Sequence, residues 1–173
     1  MILIREEKPE DIEAIREINE GAFGQPAEAD IVDRLRETCE DLLSLVAVVG
    51  EGVVGHILFS PVMIKGNEGA AEVAGMGLAP MAVVPKRQRQ GIGTLLAQAG
   101  IEMLKERGCP FVIVLGYPEY YPRFGFEQAL DHGIRSQWEE VPDEAFMILV
   151  LDESAMAGVS GVARYRKEFD EAV

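Results

Sequence analysis

Apolar residues recur along this chain at two different spacings, and the spacing separates helices from strands. Met1–Arg5 reads as a short first strand. Pro9 then opens a helix, with Glu10 and Asp11 in its first turn, where acids favour the positive helix end. Ile12, Ile15, Ile18 and Ala22 give that helix one apolar stripe, and Ile31, Val32, Leu35 and Cys39 predict a second from about Glu28 to Cys39. Strands follow over Leu43–Val49 and Val53–Lys65, joined by a Gly50-Glu51-Gly52 turn. A second turn is expected over Gly66–Gly69, then an extended stretch over Val73–Val84, which Pro85 stops. Ile92, Leu95, Leu96, Ala99 and Met103 return to helical spacing, and Gly108 and Pro110 end that helix. Phe111–Leu115 and Phe146–Leu151 complete the predicted strands. The order β, α, α, antiparallel strands, helix, strands predicts a mixed α/β fold with a mainly antiparallel sheet. No repeat or linker divides it, so one domain over residues 1–173 is expected.

Composition adds exclusions. Hydrophobic residues make up 48% of the 173, enough for a full core without metals or disulfides. No apolar run of about 18 residues predicts a membrane span, and MILIREEKPED lacks the pattern of a secretory leader. Cys39 and Cys109 sit in no CxxC and near no histidine at metal-ligand spacing, so a reduced, cytoplasmic protein without metal is expected. Acidic residues number 30 against 16 basic, a net charge of −14. Such a surface repels nucleic acid and anionic membranes and favours cationic partners, amines among them.

Candidate chemistry concentrates in Leu78–Leu96, LAPMAVVPKRQRQGIGTLL. A strand runs into a loop with Gly91 and Gly93, and the loop opens an amphipathic helix. Unpaired amides at a helix tip, approached closely past glycine, suit a phosphate or pyrophosphate; an ordinary glycine-rich turn is the plain alternative. Lys86, Arg87 and Arg89 add local positive charge to an acidic chain. There is no GxxxxGK[ST], and Leu96 stands where GxGxxG needs its third glycine, so P-loop and dinucleotide readings fit poorly. Pro80 cannot donate to a sheet ladder, and a bulge there would free backbone groups at Met81, Ala82 and Val83. A ligand with amides could add to that edge like an extra strand. Coenzyme A has both parts, a pyrophosphate and a pantetheine arm.

Gln88-Arg89-Gln90-Gly91-Ile92-Gly93 resembles the acetyl-CoA loop of the GNAT N-acetyltransferases, [RQ]-x-x-G-x-[GA]. Met81-Ala82-Val83-Val84-Pro85 looks like that superfamily's fourth strand, and Tyr121-Pro122-Arg123-Phe124-Gly125-Phe126 like its Y-x-x-x-G-F element. LAPMAV, LGYPEYYPRFGFEQA and Gly161-Val162-Ala163-Arg164-Tyr165 with Phe169 are similar to the YhbS-like bacterial branch, over nearly the whole chain; Tyr117 departs from an expected acid. The resemblance implies a GNAT fold, its sheet splayed at the fourth and fifth strands. It implies acetyl transfer from acetyl-CoA, as acyl-donor cosubstrate, to a primary amine in a ternary complex. Gln88, Arg89, Gln90, Gly91, Ile92, Gly93 and Thr94 would hold the donor's pyrophosphate, and Met81, Ala82 and Val83 its pantetheine amides and thioester carbonyl. Tyr121 would protonate the leaving thiolate, with Tyr120 as the neighbouring candidate. Many relatives dimerise, which admits a homodimer.

Some relatives carry a glutamate base six positions before the residue matching Val83; here that position is Gly77, leaving Glu72 or a water chain to take the proton. The missing carboxylate supports an alternative, a non-catalytic acyl-CoA-binding or regulatory module of the same fold; another phosphate-binding α/β protein is a third reading. His56 is expected to be a satisfied, partly buried strand residue and His132 a solvent-facing loop residue. Cys109 shows no sign of activation. Trp138 reads as packing more than as pocket lining, and Glu139, Glu140, Asp143 and Glu144 as a solvated charged loop.

Overall fold

The computed structural model describes residues 1–66 and 72–172. The turn expected over Gly66–Gly69 lies, beyond Gly66, outside the described residues. The elements run β1 (Ile2–Glu6), α1 (Ile12–Phe23), α2 (Ala27–Thr38), β2 (Leu43–Val49), β3 (Gly52–Lys65), β4 (Val73–Val83), α3 (Ile92–Glu106), β5 (Phe111–Leu115), β6 (Glu127–Gln128), β7 (Ile134–Ser136), β8 (Phe146–Val150), α4 (Glu153–Met156) and β9 (Gly161–Tyr165). Among the described residues the strands form one nine-stranded sheet in the order β1-β2-β3-β4-β5-β8-β6, with β9 pairing β3 and β7. β1 with β2, β2 with β3, β3 with β9, β5 with β8 and β6 with β8 pair antiparallel, and β4 with β5 and β7 with β9 pair parallel. The mainly antiparallel α/β expectation therefore holds.

Two compact units divide the chain: residues 1–60, 79–102 and 167 onward in the first, 61–78 and 103–166 in the second. In the first, α1 buries Ile15, Ile18 and Asn19, and α2 buries Ala29, Ile31, Val32 and Leu35. The helix predicted to open at Pro9 begins instead as one 3-10 turn, Pro9–Asp11, and becomes α-helical at Ile12. Gly100 of α3 has no side chain because the Phe59 ring of β3 fills that space. The closing turn, Lys167–Ala172, returns to α2: Thr38 Oγ1 donates to Glu168 Oε2 at 2.5 Å, and Phe169 is buried.

A polar chain crosses this core. Asn19 Nδ2 donates to the Ile15 carbonyl at 3.0 Å and meets His56 Nδ1 at 3.2 Å. His56 Nε2 lies 2.9 Å from Ser44 Oγ, which donates to Glu7. Arg36 holds the same carboxylate at 2.9 and 3.1 Å. Burial raises the Glu7 pKa, but the hydrogen bonds from Arg36 and Ser44 outweigh it and keep the group ionised below its usual range. A carboxylate only accepts, so Ser44 spends its proton on Glu7 and accepts from His56 Nε2–H. His56 is therefore neutral with its proton on Nε2, and burial lowers its pKa to about 4. Expected to be partly buried, it is wholly buried and fully partnered at both ring nitrogens.

In the second unit β5 runs between β4 and β8, with Met76, Gly77 and Leu78 opposite Val112, Ile113 and Val114. Val62, Ile64, Phe111, Ile113, Phe146 and Ile148 make the centre of its core. The strands β6, β7 and β9 lie outside the predicted set. β6 and β7 have two and three residues, too few to show a period, and β9 alternates buried Gly161 and Ala163 with Val162 and Arg164.

Candidate active site

The first unit carries the end of β4, the loop and the start of α3. Val84 donates its N–H to the Val54 carbonyl of β3 at 2.9 Å. Strand alternation then turns the N–H and C=O of Ala82 toward β3 and those of Met81 and Val83 toward the opposite edge. The Val83 carbonyl at that edge accepts from Gln88 Nε2 at 3.0 Å. Side chains divide likewise: Ala82 is buried, Met81 and Val83 half-buried. The pairing of β4 with β5 covers Met76–Leu78, and the cis peptide bond Ala79–Pro80 follows.

Pro85–Arg87 forms one 3-10 turn, and Gln90 Nε2 reaches back to the Lys86 carbonyl at 3.3 Å. Arg89 takes φ 64°, the one positive φ outside glycine among the described residues. Gly91 has φ 84° and nothing within 4 Å of where a β-carbon would stand. Leu95 donates to the Gly91 carbonyl at 3.1 Å, which makes Gly91 the N-cap of α3. Helix geometry leaves amides of the next turn without an acceptor inside the helix. Ile92 is buried and anchors the tip, Gly93 and Thr94 are half-buried, and Lys86, Arg87, Gln88, Arg89 and Gln90 are exposed. Lys86, Arg87 and Arg89 have no ion-pair partner among the described residues. An open glycine flank, a positive helix end and three uncommitted cations fit a diphosphate.

The second unit carries the tyrosines. Tyr121 opens the 3-10 turn Tyr121–Phe124 and is 8% exposed. Its ring meets Tyr120 edge-on at 5.0 Å and Phe126 at 5.7 Å, and lies where a side chain on Gly116 would be. Burial first, then the Tyr120 and Tyr117 phenols, push its pKa above the usual phenol value. Tyr120 is half-buried with the Arg123 guanidinium 4.2 Å from its ring centre. Tyr165 fills the place that a carboxylate side chain at position 77 would occupy. A β-carbon on Gly77 would stand 2.9 Å from Tyr165 Cε2. Gln137 Oε1 accepts the Tyr165 N–H at 2.6 Å, the Trp138 ring packs on Tyr165 at 5.0 Å, and burial raises its pKa. Nothing in the one-dimensional pattern joins positions 77 and 165; only the pairing of β9 with β3 does. Glu72, the other carboxylate considered, is exposed and 3.7 Å from Lys65 Nζ. His132, expected to face solvent, is half-buried in a 3-10 turn beside Glu127 at 3.2 Å. Burial raises the Cys109 pKa, the opposite of activation.

The acetyltransferase (GNAT) domain pattern matches residues 3–129, a stretch that holds both the loop and Tyr121. The chain belongs to the GNAT acetyltransferase family. It is 38% identical over 170 residues to the N-acetyltransferase YhbS of Escherichia coli K12, covering 98% of this chain and 99% of that protein. The crystal structure of E. coli YhbS in complex with CoA matches it with TM-score 0.90, over 98% of this chain and 92% of that one. A GNAT acetyltransferase of Brucella melitensis in complex with acetyl-CoA, 35% identical, matches with TM-score 0.79 over 98% and 99%. The GNAT fold and N-acetyltransferase class expected from the loop motifs are thus established for this chain. Among the described residues no helix is long and apolar enough to cross a membrane, and no three His, Cys, Asp or Glu side chains group to hold a metal.

Proposed function

We propose that this GNAT domain, residues 1–173, transfers the acetyl group of acetyl-CoA to a primary amine by direct attack in a ternary complex. The observation that carries the reading is the loop: Gly91 open at the tip of α3, beside three cations with no partner among the described residues. Residues 88–94 hold the pyrophosphate, and Met81 and Val83 offer the outer edge of β4 to the pantetheine amides and thioester carbonyl, with Ala82 packing behind them. Two cocrystallised relatives, one with CoA and one with acetyl-CoA, support the donor. Free Cys39 and Cys109 and the acidic surface fit a cytoplasmic protein.

The neutral amine attacks the thioester carbon, and negative charge builds on the carbonyl oxygen. A fixed strand N–H stabilises that charge more in the transition state than in the ground state. The carbon–sulfur bond then breaks, the thiolate takes the Tyr121 proton, the new amide nitrogen gives its proton to water, and water returns a proton to the Tyr121 phenolate. A phenol raised above about 10 stays protonated at neutral pH, as a general acid must.

Calorimetry with CoA and thiol release with an amine panel test the reading. Saturable CoA binding and thiol release are expected, and Tyr121→Phe should lower the rate by about 10²-fold or more with CoA binding kept. An unchanged rate removes Tyr121 from the acid role. Gly77, with Tyr165 in the place of a strand carboxylate, favours the second reading, a CoA-binding module without turnover. Tight CoA binding with no thiol release from any amine supports that one.

A further inference from the structure

A cavity of about 560 Å³ opens in the second unit beside β7 and β9, a volume suited to a small ligand. Arg135, Arg164, Glu139, Asp143, Trp138 and Phe146 are among its lining residues. Arg135 of β7 lies opposite Val162 of the parallel strand β9. Cross-strand partners share a face, and Arg164, two residues beyond Val162, returns to it. Both guanidiniums therefore rise from one face of the sheet edge, where like charges on neighbouring strands repel. Neither is ion-paired among the described residues, although the chain carries 30 acids against 16 basic residues. Glu139 and Asp143 on the same lining are likewise exposed and unpaired among the described residues. Buried Phe146 and half-buried Trp138, braced on Tyr165 at 5.0 Å, supply apolar surface between them.

We propose that this cavity binds a small apolar amino acid as its zwitterion. The carboxylate bridges Arg135 and Arg164, which relieves their repulsion; planar, forked guanidiniums match it geometrically. The ammonium faces Glu139 and Asp143, and the side chain lies against Trp138 and Phe146. Such a ligand carries the primary amine that acyl transfer consumes, so the cavity names an acceptor class; that last link rests on the function proposed above.

Trp138 is the only tryptophan, so its fluorescence reads the cavity directly. Leucine and phenylalanine are titrated beside their amine analogues without a carboxylate and their acid analogues without an amine. Saturable change is expected with the zwitterions, at a Kd at least about tenfold below either half-molecule. Arg135→Gln and Arg164→Gln, both at exposed positions, should each raise that Kd about tenfold or more with the circular dichroism spectrum unchanged. No response up to about 10 mM, far above the affinities expected of charge-assisted contacts, overturns the proposal; so does equal binding by the arginine variants. Thiol release from acetyl-CoA is followed in the same samples. Fluorescence saturation without thiol release leaves the cavity as assigned and counts against acyl transfer instead.

Discussion

Tyr165 stands where a side chain on Gly77 would have to go: a β-carbon at Gly77 would lie 2.9 Å from Tyr165 Cε2 and 2.8 Å from Val62 Cγ2. The glycine and the tyrosine are thus one packing decision made on two strands. Gly77→Glu, which restores a strand carboxylate, should destabilise the protein by about 1–3 kcal/mol through overpacking and bring no gain in rate. Urea denaturation checks this. In a Tyr165→Leu background the same glutamate should cost less, and a double-mutant cycle that shows no coupling would separate the two residues.

The Tyr121 ring uses the absence of a side chain at Gly116 in the same way. Gly116→Ala should move the phenol and lower kcat, with the KM for acetyl-CoA little changed, since the donor loop lies elsewhere in the chain. A misplacement of about 1 Å can cost about 10²-fold. Stopped or steady-state thiol release at saturating acetyl-CoA reads the effect.

The lesson in legibility lies with these glycines. The strands over 43–65 and the helix 92–106 announce themselves by period, and the acetyl-CoA loop by motif, because each is a local property of contiguous residues. Tyr165 at Gly77 is a long-range contact created by sheet order, and no periodicity encodes it. The same holds for the cavity beside β7 and β9, whose lining residues come from separated segments with no pattern of their own. His56 was legible as a strand residue, but its tautomer follows only from Ser44 and Glu7, partners outside its own strand.

His56 makes folding sensitive to mild acid. Its pKa is about 4 folded against 6.5 when exposed. A lowered histidine pKa means the unfolded chain binds the proton first. Stability is therefore full above pH 6.5 and falls as pH drops from 6.5 toward 4, by about 1.4 kcal/mol per unit at most. Glu7 and Asp11, both held below their ordinary values, add their own losses only below about their unfolded pKa near 4. His56→Gln should flatten the slope between pH 6.5 and 5 in chemical denaturation, while an unchanged slope would assign it to other groups. Nitrogen-15 NMR should show the proton on Nε2.

Arg89 combines a left-handed backbone with an uncommitted charge. Arg89→Gly should keep or raise stability by up to about 1 kcal/mol, because glycine adopts φ 64° freely. It should also weaken CoA binding several-fold in low salt, with the deficit shrinking as salt screens the lost charge. Arg89→Gln should show the same salt-dependent loss without the gain in stability. Calorimetry at two ionic strengths distinguishes them.

The turn Lys167–Ala172 and its Thr38–Glu168 hydrogen bond have a consequence for biosynthesis. Residues 1–60, which include α2, are separated in the chain from Lys167–Ala172 by both segments of the second unit, so the flank of α2 that this turn covers stays open until residues 167–172 have emerged from the ribosome. Vectorial folding can finish the later-encoded unit before the earlier one, and a nascent chain stalled before Lys167 would expose the flank of α2 to proteases and chaperones.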